Sequence, residues 1–173
     1  MRASDLRSPL SASRRTLLLS VGGLVLSAVA CTGHPATDGP IIGTSSQYDV
    51  RGEFHRIDVD SVERLRLDGT MLVVQGLERS QSVPLPPTAD PAQRNRGWAL
   101  VTDTVQDRHR LLTFTQEMAV EDVTLHVPLS EAPVQSGSLG GRDGHDVLLL
   151  AWGAAPNAYW GYVTLTRKAA AQD

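Results

Sequence analysis

A chain of 173 residues, 41% apolar and 20% charged, is long enough for one packed domain and carries too much apolar matter to stay unfolded. Its formal charge is −3, and loss of residues 1–30 would remove four arginines and one aspartate to leave −6. That acidic balance argues against nucleic-acid binding through a basic surface.

The first element is a leader. Residues 1–15 carry Arg2, Arg7, Arg14 and Arg15 against a single Asp5, and Thr16 to Ala30 is a charge-free run of fifteen residues. A stable membrane-spanning helix takes about 20 apolar residues, so this run suits the apolar region of a secretory signal instead. Ala28, Val29 and Ala30 supply the small side chains that a signal peptidase pocket admits, and the next residue, Cys31, is the only cysteine in the chain.

The stretch "SAVAC" resembles the lipidation box of bacterial lipoprotein precursors, and the resemblance ends at Cys31. It implies a thioether-linked diacylglycerol on Cys31 and acylation of the amine freed by cleavage. Two or three chains make a lasting anchor where one holds only marginally. The competing reading is cleavage at an ordinary A-x-A site, with Cys31 incidental. Likewise "SRRTLLL" resembles a twin-arginine export signal, with Arg14 and Arg15 as the pair and Leu18 and Leu19 where the fuller pattern has Phe and Lys. That route would export the domain already folded. Thr32, where retained lipoproteins carry Asp, implies by the same resemblance the periplasmic side of an outer membrane, if the source has two.

Residues 32–47, "TGHPATDGPIIGTSSQ", are rich in Gly, Pro, Thr and Ser and read, after the lipidated Cys31, as a flexible tether. From Tyr48 to Lys168 the pattern is extended, with a short tail at 169–173. Ile57/Val59 and Leu65/Leu67 alternate, and Asp68-Gly69 between apolar stretches predicts a hairpin. Residues 85–97 hold three prolines and predict a loop; "WALVTDTV" and "RLLTFTQEM" predict a second hairpin about "QDRH". Val123, Leu125, Val127 and Leu129 share one strand face, and Pro128 marks a strand end or edge. "SGSLGGRDG", residues 136–144, reads as a flexible loop. "HDVLLLAWG" is a continuous apolar run and predicts a strand covered on both faces. In "YWGYVTLTRK", Trp160 and Tyr162 fall on one face and Tyr159 on the other. The expected fold is all-β: a single compact antiparallel sandwich or barrel of seven to nine short strands.

Candidate chemistry is sparse. No histidine pair has the i, i+4 spacing of a zinc protease, and no metal or cofactor is expected. Asp143, His145 and Asp146 form the densest polar cluster beside an apolar strand. With His126 they are the candidates for acid/base work in a small hydrolase; the plainer reading is a turn whose aspartates cap backbone. Trp160 and Tyr162 are candidates for stacking on a sugar or anchoring a protein; the plainer reading has Trp152 opposite Trp160 or Tyr162 in the core. The leading expectation is a lipid-anchored envelope protein with a non-catalytic binding or structural domain. Its partners would be membrane lipid and an envelope protein or glycan. The rivals are the hydrolase and a carbohydrate-binding module.

Overall fold

The computed structural model describes residues 38–93, 97–116 and 119–170. The export pair Arg14 and Arg15, the box Ala28-Val29-Ala30 and Cys31 lie outside them. Among the described residues there are eleven strands and one short 3-10 turn at Arg142–Gly144. The strands are β1 (Gly39–Thr44), β2 (Tyr48–Ile57), β3 (Arg64–Asp68), β4 (Met71–Gln75), β5 (Ser80–Pro84) and β6 (Trp98–Gln106). They continue with β7 (His109–Gln116), β8 (Ala119–Pro128), β9 (Gln135–Gly140), β10 (Asp146–Trp152) and β11 (Ala158–Arg167). The all-β expectation holds, with more strands than the seven to nine expected.

Eight strands form one antiparallel sheet in the order β6-β7-β8-β1-β2-β11-β10-β9, curled into a nearly closed barrel. The remaining three, β3-β4-β5, form a small sheet. The barrel edges meet where Ser138 Oγ on β9 donates to the Trp98 carbonyl on β6 at 3.4 Å. The Trp98 indole N–H also donates to Asp146 Oδ2 on β10 at 3.1 Å.

Two apolar cores follow from this layering. The inner core holds Phe114, Leu125, Leu148, Leu150, Trp152 and Val163 among others. The outer core joins Leu72, Val74 and Val83 of the small sheet to Val147, Leu149 and Trp160. Strand β10 is the wall between them. Leu148, Leu150 and Trp152 point inward while Val147, Leu149 and Ala151 point outward, so all seven of its residues are buried. A side chain of this size contributes about 1.5–3 kcal/mol when fully buried, and a strand buried on both faces has no place for a polar alternation. The continuous apolar run is legible for that reason.

Both predicted hairpins form. Asp68 pairs with Met71, so the turn residues are Gly69 and Thr70, one step beyond the expected Asp68-Gly69. Gly69 takes φ 57°, the positive value that the first position of a tight hairpin turn requires. Gln106 pairs with His109 around Asp107-Arg108.

Three expectations are corrected. The tether cannot extend to residue 47, because Gly39–Thr44 is a barrel strand. It pairs first with β2 (Gly39 to Phe54) and then with β8 (Ile42 to His126). Residues 136–140 are not a loop: β9 pairs with β10 from Gln135 to Gly140, giving that apolar strand its second neighbour. Trp152 is opposite Tyr159, and Trp160 is opposite Ala151, so the two tryptophans lie on different faces in different cores.

Candidate functional site

The turn ahead of β10 places Asp143, His145 and Asp146 close in sequence but apart in direction. Asp143 is exposed with φ 56°, on the 3-10 turn. His145 is half-buried, its Nδ1 within 2.9 Å of Thr166 Oγ1 on β11. Asp146 is 1% exposed and turned into the barrel, where it accepts the Trp98 indole N–H. The imidazole is turned to Thr166 and the Asp146 carboxylate to Trp98 inside the barrel, so the two do not share one site. His126 lies four strands away around the sheet from Asp146. There it lines a shallow 370 Å³ cleft with Pro40, Ile42, Phe54, His109 and Pro128. The four acid/base candidates therefore do not converge, and among the described residues no cluster of three His, Cys, Asp or Glu is placed to hold a metal ion.

The sugar-stacking candidate is also corrected. Trp160 is 2% exposed, with its ring stacked on His55 at 5.1 Å and 22°. A ring covered in this way offers no face to a pyranose. Tyr162 is half-buried, and its hydroxyl donates to Glu53 Oε1.

These contacts expose a polar group that the sequence reading left out. On the outer face of the barrel, Glu53 is opposite Tyr162 and His55 is opposite Trp160. The same Glu53 oxygen lies 3.3 Å from His55 Nε2, so one carboxylate accepts from the phenol and stands beside the imidazole. His55 is 4% exposed and stacks on Tyr162 as well, at 6.4 Å and 18°. Its Nδ1 and the Trp160 Nε1 are buried without a protein hydrogen-bond partner, and each such group costs about 1–3 kcal/mol. Burial, then the hydrogen bond to Glu53 and its charge, raise the Tyr162 pKa far above the phenol range. The phenol therefore stays protonated and serves as a donor, not a base. A period-two count back from Ile57 through His55 to Glu53 would have found this face.

Chemically, the cluster is a latch between β2 and β11 at the margin of the outer core. Its tryptophan is buried and its tyrosine hydroxyl is engaged by Glu53. No protein-family model, characterised protein or solved structure matches the chain.

Proposed function

We propose that this chain is a lipid-anchored bacterial envelope protein whose β barrel binds or supports other components without carrying out catalysis. The address rests on one feature of the sequence: the sole cysteine stands at the end of a charge-free run, directly after Ala28-Val29-Ala30. The non-catalytic reading is supported by the way the acid/base candidates are used. Asp146 fastens the barrel edge through Trp98, and His145 meets Thr166. Glu53 and Tyr162 hold two strands together.

The full precursor expressed in a bacterial host tests the address. Mass spectrometry of the detergent-extracted product should show an N-terminus at Cys31 with diacylglycerol on its sulfur, and Cys31→Ser should leave the membrane fraction. An unmodified Cys31 in the native product, or cleavage elsewhere, overturns it.

A further inference from the structure

The barrel has two ends, fixed by its connections. One end gathers the start of β1, the β2–β3 connection, the β6–β7 and β10–β11 turns and the β8–β9 loop. The other gathers the β1–β2 turn, the β9–β10 turn and the end of β11.

Among the described residues, three of the six exposed large apolar side chains sit at the first end. Leu129 follows the last residue of β8 and is 48% exposed; Val105 is the penultimate residue of β6 and is 61% exposed. Leu77, 77% exposed, tips the β4–β5 turn. That turn is fastened to the same end, because Asp60 Oδ2 accepts the Glu78 amide N–H at 2.7 Å while the Asp60 carbonyl accepts from Ala155 in the β10–β11 turn. Apolar side chains exposed singly are ordinary; three from separate parts of the chain gathered at one end are a pattern. Pro128, which precedes Leu129, also lines the cleft with Pro40 and Ile42.

The chain enters the barrel at this end too. Asp38, the first described residue, lines the same cleft, and Cys31 precedes Gly39 by eight residues. Eight residues span at most about 27 Å. Seating the opposite end on a bilayer would require the connection to run back along β1, whose six residues take up about 20 Å. That would use up about three-quarters of its reach, whereas seating the first end uses almost none of it. We infer that this first end is a membrane-docking face, which seats Leu77, Val105 and Leu129 in the lipid interface. The inference rests on the acylation of Cys31 proposed above.

The carboxylates of this end are of two kinds, some engaged and others, such as Glu63 and Glu78, exposed. Asp58 pairs with Arg79 at 2.9 Å, Asp103 pairs with Arg110, and Asp38 accepts the Arg56 amide N–H. Asp107 and Glu131 are exposed there as well, so the face suits a neutral lipid surface better than a strongly anionic one.

Once Cys31 is acylated the chain has no free thiol, so one introduced cysteine can be labelled alone. Full-length acylated protein carrying Leu77→Cys, Val105→Cys or Leu129→Cys, each with an environment-sensitive fluorophore, is reconstituted into phosphatidylcholine vesicles containing nitroxide-labelled lipid. Emission should shift to the blue and be quenched at these three positions. It should do neither at Ser46→Cys, in the β1–β2 turn at the other end. Equal quenching at Ser46, or none at the three apolar positions in protein whose mass shows the acyl chains, overturns the docking face and leaves the anchor standing. A product whose mass shows no acyl chains overturns both.

Discussion

The inner and outer cores are built from similar residues, yet they bind their layers differently. The inner core is enclosed by the eight-stranded sheet, and its aromatic rings interlock: Tyr48 meets Trp98 edge-on at 5.4 Å, and Phe54 meets Tyr159 likewise at 5.6 Å. The outer core has a three-stranded lid with only one thoroughly buried strand, since β3 and β5 are mostly exposed while Leu72, Val73 and Val74 of β4 are buried. At its margin the apolar packing gives way to His55, Tyr162 and Glu53. One core closes on itself, and the other depends on a few side chains and a polar latch. Stability should therefore be unequal between the layers.

The largest effect expected from testing that inequality comes from Leu72→Ala. Leu72 is fully buried at the centre of the lid, and deleting such a side chain costs about 2–5 kcal/mol. Hydrogen exchange should quicken first across β3, β4 and β5, with the amides of β10 and β11 still protected. If β10 opens at the same rate as β4, the layers form one cooperative unit and the contrast fails.

What could be read from the sequence tracks how local its cause is. The turns at Gly69 and Asp107 were legible because positive φ is a property of a few adjacent residues. The doubly buried β10 was legible because its run has no polar break. By contrast, β1 and β9 are made of Gly, Ser, Pro and Thr with few large apolar residues, and their strand character comes from neighbours distant in the chain. Gly43 shows the constraint: a Cβ there would lie 2.2 Å from a Val50 methyl, so the smallness that looked like a linker is a packing requirement. The candidate site failed for a related reason. His145 and Asp146 are neighbours in sequence, but one ends a 3-10 turn and meets Thr166 while the other opens β10 and points into the barrel at Trp98.

A smaller effect should come from the latch. Tyr162→Phe keeps the ring and removes the hydroxyl that donates to Glu53, at a cost of about 1 kcal/mol. The sign of its pH dependence follows from the raised pKa of this phenol. Its contribution is complete below the ordinary phenol range and is lost as pH rises toward the higher folded value. Denaturant midpoints of the two proteins should differ more at about pH 9 than at about pH 11, on either side of the unfolded phenol pKa. A gap that widens with pH would contradict the donor role.

The smallest effect belongs to the turn that carries Leu77. Asp60 accepts from the Glu78 amide at 2.7 Å and the Arg79 amide at 3.3 Å. The bond from Glu78 is the main reason its carboxyl titrates below the usual aspartate range. A depressed folded pKa means that the contribution is present above the unfolded pKa and disappears as pH falls through the lower folded value. Asp60→Ala should therefore leave global stability nearly unchanged while speeding amide exchange at Glu78 and Arg79 at neutral pH. In the unsubstituted protein, protection of these two amides should persist below about pH 4 and fail only in stronger acid. Exchange at Glu78 and Arg79 that ignores both the substitution and the pH would show that the turn is held by its backbone alone. Gly76 already commits that backbone, because a Cβ there would lie 2.1 Å from Asp60 Oδ1. The carboxylate and the turn are fitted to one another, and the posture of Leu77 at the barrel end follows from that fit.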